Sequence, residues 1–147
     1  MRILRLLACT SLLATAACPG IVGLTERWER QPAYLVDDQE ARVVVPAQVN
    51  AGASFQVDIT TYGGGCERQG ETEVSVSQQA RTADLRPYDE TNVAAEVCTE
   101  ELKMFSHMAT VRFDQPGTAV VRVHGVRLQD KAPVTVTRTV QVVAAGS

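Results

Sequence analysis

The sequence predicts an all-β domain, and three observations carry that prediction. Seven of the ten leucines precede residue 41, and beyond it only Leu85, Leu102 and Leu128 remain. From Ala41 onward, 107 residues hold 19 valines and 11 threonines. Their branched Cβ atoms suit a pleated, half-buried surface and lose rotamer freedom in a helix. Apolar and polar residues also alternate with period two in successive short runs, the pattern of strands with one buried face.

The chain opens differently. Arg2 and Arg5 supply positive charge, Leu6 to Ala17 is uncharged, and the small residues Ala14-Thr15-Ala16-Ala17 lead to Cys18-Pro19-Gly20. A basic start, a short apolar run and a small-residue site are the three parts of a secretory signal peptide, which gives residues 1–17 as a removed address. The apolar run is too short to span a bilayer, and Pro19-Gly20 would break a helix continuing past it. Residues 18–40 read as a tether. They carry the patternless charges Arg27-Trp28-Glu29-Arg30 and Asp37-Asp38-Gln39-Glu40, an optional edge strand at Ile21 to Leu24, and Trp28 and Tyr34 as rings able to pack on the domain.

The domain itself is expected over 41–147. Arg42 to Val45 gives a short first strand. Phe55, Val57 and Ile59 then alternate with Gln56, Asp58 and Thr60. Thr72 to Ser77, Ala83 to Tyr88 and Val93 to Cys98 give three more short strands, and Thr99 to Lys103 leaves room for one helical turn. Phe105, Ala109, Val111 and Phe113 share one face, as do Ala119, Val121 and Val123. Val134, Val136, Val140 and Val142 share another, which Arg138 interrupts. Turn residues separate these runs at Asn50-Ala51-Gly52, Gly63-Gly64-Gly65, Gln115-Pro116-Gly117 and Asp130-Lys131-Ala132-Pro133. About eight short strands at this spacing suit a sandwich or small barrel.

Two resemblances follow. Thr15-Ala16-Ala17-Cys18 resembles the lipobox of bacterial lipoproteins, with Thr15 where an aliphatic residue is usual. The resemblance implies lipidation of Cys18, which would become the mature first residue and anchor the protein to a membrane. Pro19 is not the aspartate of an inner-membrane retention signal, which favours the outer membrane in a two-membrane cell. Plain secretion after Ala16 or Ala17 is the alternative. Phe113-Asp114-Gln115-Pro116-Gly117-Thr118-Ala119-Val120-Val121-Arg122-Val123 looks like the F-x-x-P-G-x-A-x-V-x-V pattern of bacterial immunoglobulin-like domains. Val49 to Val57 looks like their second strand and its lead-in, and Val134 to Val143 like their last. The chain is thus similar to small bacterial lipoproteins with one such domain. The implied fold is an immunoglobulin-like antiparallel β-sandwich of about 7–9 strands.

Cysteine arithmetic fits this reading. Cys9 leaves with the signal and lipidation accounts for Cys18, so Cys66 and Cys98 remain as a pair, expected as a disulfide in an oxidising compartment. A metal or redox role lacks C-x-x-C spacing. Gly63-Gly64-Gly65 is followed by Cys66-Glu67-Arg68 rather than a Lys-Ser/Thr, so it reads as close backbone approach or positive φ instead of a phosphate cradle. His107 shares the apolar face of Phe105 and Val111 and is expected buried, whereas His124 lies opposite Val121 and Val123 and is expected in solvent. No G-x-S-x-G occurs, and Asp37-Asp38, Asp89-Glu90 and Glu100-Glu101 are adjacent acids read as loops.

The charge balance of −3 lacks the concentrated positive face of a nucleic-acid binder, and 45% hydrophobic residues exclude a disordered chain. No cofactor, metal or catalytic residue is expected. The expectation is a non-enzymatic cell-envelope lipoprotein acting as a structural or protein-interaction module with a partner in the envelope. The alternative is a carbohydrate or cell-wall polymer binder using Trp28, Tyr62 and Tyr88. Seven aromatics in the full chain are few for that role.

Overall fold

A computed structural model describes residues 26–36 and 42–145. The signal, Cys18, the Ile21 to Leu24 strand and Asp37-Asp38-Gln39-Glu40 lie outside the described residues. Among those described, every regular element is a strand, in agreement with the all-β prediction: β1 (Trp28–Pro32), β2 (Tyr34–Leu35), β3 (Val43–Val44), β4 (Gln48–Asn50), β5 (Ser54–Gly63), β6 (Glu67–Ser77), β7 (Thr82–Asn92), β8 (Lys103–Arg112), β9 (Gly117–Arg127) and β10 (Pro133–Val143).

The strands form one mixed, curled sheet. β5 pairs antiparallel with β8, β6 with β7 and β9 with β10. β7 runs parallel to β9, β4 to β10 and β2 to β9, so the expectation of a purely antiparallel sheet is corrected. The inward face of β5 contributes Phe55, Val57 and Ile59, that of β8 Ala109 and Val111. Ala83 and Leu85 of β7, Ala119, Val121 and Val123 of β9, and Val136, Val140 and Val142 of β10 complete one core with Phe113. The Phe55 and Phe113 rings meet at 6.0 Å in a tilted pair. Arg138, on the inward register of β10, donates from Nε to the Val43 carbonyl at 3.2 Å. It thereby ties β10 to β3.

Three local expectations change. Trp28–Leu35 is not tether: β1 pairs with the end of β7, β2 bridges β5 and β9, and Leu35 is buried. Val93 to Cys98 is not a strand and Thr99 to Lys103 not a helix. Together Val93 to Leu102 form a loop between β7 and β8, held by the turn bonds Ala95 N–H to Asn92 O and Ala94 N–H to Asn92 Oδ1. Among the described glycines, positive φ falls on Gly52 (79°) and Gly117 (131°), in two of the expected turns, rather than on Gly63-Gly64-Gly65. Gly65 instead serves close approach, because a Cβ there would stand 2.8 Å from the Thr99 backbone N and O.

β7 is the organising strand. Along one side it pairs with β6 throughout. Along the other it pairs with β9 from Thr82 to Leu85, then with β1 from Tyr88 to Asn92. The change of neighbour falls at Arg86-Pro87. Proline has no N–H to give a ladder, so it suits the point where one ladder stops and the next begins. The Pro87 carbonyl accepts the Ala33 N–H at 3.1 Å, and Ala33 O accepts Val126 N–H at 3.1 Å.

Candidate functional site: a proline-walled cleft beside a histidine–aspartate pair

Where β9 leaves β7 and β1 arrives, the outer surface opens into a cleft of about 290 Å³. Pro32 closes β1, Pro87 interrupts β7 and Pro133 begins β10, and all three form its walls with Tyr88 and Val126. Arg86 and His124 bring polar groups to these apolar walls. Arg86 is exposed, and its side chain makes no hydrogen bond or salt bridge among the described residues, although it feels the charge of Glu73 opposite it in the ladder.

His124 is more engaged than its expected solvent position implies. Its Nε2 lies 2.7 Å from Asp84 Oδ1 and its Nδ1 3.1 Å from Thr135 Oγ1. Arg122, opposite Asp84 in the ladder, donates to Asp84 Oδ2 at 2.9 Å. Alternation explains the grouping: Asp84, Arg122 and His124 occupy outward positions between the buried Ala83 and Leu85 or beside Val121 and Val123. The hydrogen bond from His124, then that from Arg122, holds the Asp84 carboxyl below the usual carboxylate range against the opposing effect of burial.

The second histidine repeats the pattern on the inner side. His107 is buried as expected, with Nε2 3.0 Å from Asp89 Oδ1 and 3.1 Å from Thr61 Oγ1. Thr61 donates its hydroxyl to Asp89 Oδ2 at 2.9 Å. Thr72 Oγ1 sits 3.1 Å from Nδ1, placed there after a register shift in β6 between Gln69 and Thr72. A carboxylate at Nε2 requires a proton on that nitrogen, so in the neutral ring Nδ1 accepts from Thr72. Thr61, Asp89 and His107 are all buried, so this set binds four strands together rather than facing a ligand.

Both sets have the order hydroxyl, imidazole, carboxylate. Thr135, however, lies within the β9–β10 ladder and Thr72 within that of β6 and β7, not on the sharp turn that exposes a hydrolase serine. Of the outer set only His124 lines the cleft, and with Nδ1 against Thr135 and Nε2 against Asp84 it serves as a fixed part of the wall.

The remaining sequence candidates are placed as follows. Cys66 and Cys98 are joined as a disulfide, with Cα atoms 5.2 Å apart. Asp89-Glu90 is not a loop: it lies in β7, with Asp89 turned inward to His107 and Glu90 outward to Arg68 at 2.6 Å. Glu101 pairs with Lys103 at 3.1 Å. Among the described residues, no group of three or more His, Cys, Asp or Glu side chains could hold a metal. Trp28 and Tyr88 are each covered by a guanidinium, Arg68 at 4.0 Å and Arg30 at 3.4 Å from the ring centroids. Tyr62 stands apart on β5, opposite Met104. The aromatics therefore do not converge on one platform.

Sequence reading misses Asp84, Arg86, Thr61, Thr72 and Thr135. The only advance sign is that a histidine on an apolar face needs a polar partner, and nothing in the sequence says which. No family model, curated protein or solved structure matches this chain.

Proposed function

We propose that this protein is a non-enzymatic, lipid-anchored lipoprotein of the cell envelope that works as a protein-interaction module. Its ligand in this reading is an apolar segment of an envelope partner seated in the cleft. The observation that carries the reading is the cleft itself, whose Pro32, Pro87, Pro133, Tyr88 and Val126 walls end at the exposed Arg86 side chain. Apolar walls with a few placed polar groups are the usual composition of a recognition site. The anchoring part rests on the Thr15-Ala16-Ala17-Cys18 lipobox and the preceding apolar run.

For the fold, we extend the all-β class to an immunoglobulin-like sandwich. The extension is supported by the single core between the β5–β8 and β7–β9–β10 faces. The parallel β7–β9 pair departs from that pattern.

The test is chemical crosslinking in intact cells, followed by purification of the tagged full chain. A discrete partner protein, lost in Val126→Arg, is expected. Retention of envelope polysaccharide with no protein partner would overturn this reading in favour of the polymer-binding alternative.

A further inference from the structure

The structure shortens the tether and shows at which end of the domain it emerges. Read from sequence, residues 18–40 would let the domain stand as far as about 80 Å from Cys18. With Trp28 already locked in β1, eight Cα steps separate Cys18 from Glu26, a reach of about 29 Å at most.

The described chain starts beside one surface loop. Val93 N–H donates to Arg27 O at 2.8 Å, and Arg27 N–H to Asn92 Oδ1 at 3.3 Å. From there runs the loop Val93 to Leu102, whose middle the Cys66–Cys98 disulfide and the Gly65 N–H to Thr99 O bond of 3.3 Å hold to the turn between β5 and β6. This loop is acidic at Glu96, Glu100 and Glu101, yet it exposes aliphatic side chains: Val93 is 41%, Val97 86% and Leu102 68% exposed. A staple that holds two nearly bare aliphatic residues in water has an unfavourable surface unless another apolar phase covers them.

We infer that the Val93–Leu102 loop rests on the bilayer that holds the Cys18 anchor, with Val97 and Leu102 entering the lipid headgroup boundary. The occupant is the lipid surface because the short stretch from Cys18 delivers the chain to this end of the domain, beside these exposed aliphatic side chains. The excess of acids on the loop selects a zwitterionic surface rather than an anionic one. This inference rests on the anchored reading above. It adds an orientation, which leaves the cleft, about four residues farther along β1 and β7, facing sideways to a neighbouring protein.

The test uses the full lipidated chain in zwitterionic vesicles containing bromine-labelled lipid. In a Trp28→Phe background, single tryptophans replace Val97 or, as a control, Gln115 in the turn at the opposite end of β8 and β9. Incorporation of labelled fatty acid, lost in Cys18→Ala, is scored separately. Severalfold stronger quenching of V97W than of Q115W is expected. Incorporation with equal or absent quenching at both sites would overturn the orientation and leave the anchor standing. Absence of incorporation would overturn the anchor and the orientation with it.

Discussion

His107 Nε2 lies 3.0 Å from Asp89 Oδ1, with both side chains buried and Thr61 donating to the second carboxylate oxygen. The pair joins β8 to β7, and Thr72 and Thr61 extend it to β6 and β5. Removing one member of such a pair leaves the other buried without its partner. Asp89→Ala is expected to lower stability by about 3–5 kcal/mol in urea unfolding. Replacing both, as H107L with D89L, is expected to lie much nearer to wild type, because neither polar partner is then buried without the other. Equal losses in the single and double variants would show that packing, not the hydrogen bond between the two, holds this junction.

The disulfide closes a segment of sequence separation 32. Joining Cys66 to Cys98 restricts the unfolded chain, so Cys98→Ala is expected to cost about 3–4 kcal/mol in the chain-entropy account. The loss should match that produced by reduction of the wild type. Thiol titration of the oxidised protein should find Cys66 and Cys98 unreactive.

Gly65 lies at the base of the same loop, and a methyl group there would meet the Thr99 backbone at 2.8 Å. The Thr99 hydroxyl lies nearer still and could rotate away, but the Thr99 backbone behind it could not. Gly65→Ala is expected to destabilise by about 1–3 kcal/mol. Gly52→Ala meets only the end of the Arg112 side chain at 3.8 Å. Its cost should come from its positive φ of 79° alone. Thermal unfolding of the two variants separates contact from conformation.

Asp84 sets a pH dependence. Its folded-state carboxyl titrates below the ordinary value, chiefly through the hydrogen bond from His124 and then that from Arg122. A depressed carboxylate contributes fully above its unfolded pKa, and the contribution is lost as pH falls through the folded value. Asp84→Asn should therefore unfold at a lower temperature than wild type at neutral pH, and the gap should close on acidification below about pH 4. A gap that persists unchanged in acid would remove the charge from this account.

Much of the fold is legible because one-sided burial writes itself into alternation. β5, β8, β9 and β10 each bury every second residue, and Phe55, Val57, Ile59, Val111, Val121, Val123 and Val140 fall inside as the pattern requires. β1 is illegible for the opposite reason. Trp28-Glu29-Arg30-Gln31-Pro32 buries little apolar surface, and its rings and charges are spent on the outer face in the Arg68–Trp28 and Arg30–Tyr88 contacts. The parallel β7–β9 pair also escapes, since period two gives a strand its faces but not its neighbours. The cleft follows from that missing information. Pro32, Pro87 and Pro133 are far apart in sequence and meet only because β7 changes partners at Pro87.

In the proposed function the proline-walled cleft contacts a partner protein in the envelope. The most direct measurement places a photoreactive residue at Val126, in the cleft wall, and separately at Met108, on the exposed face of β8. Each full-length protein is then irradiated in intact cells. A discrete crosslinked protein band is expected from position 126, weakened by Arg86→Ala, and none from position 108. The same bands from both positions, or none from position 126 in a correctly exported protein, would contradict it.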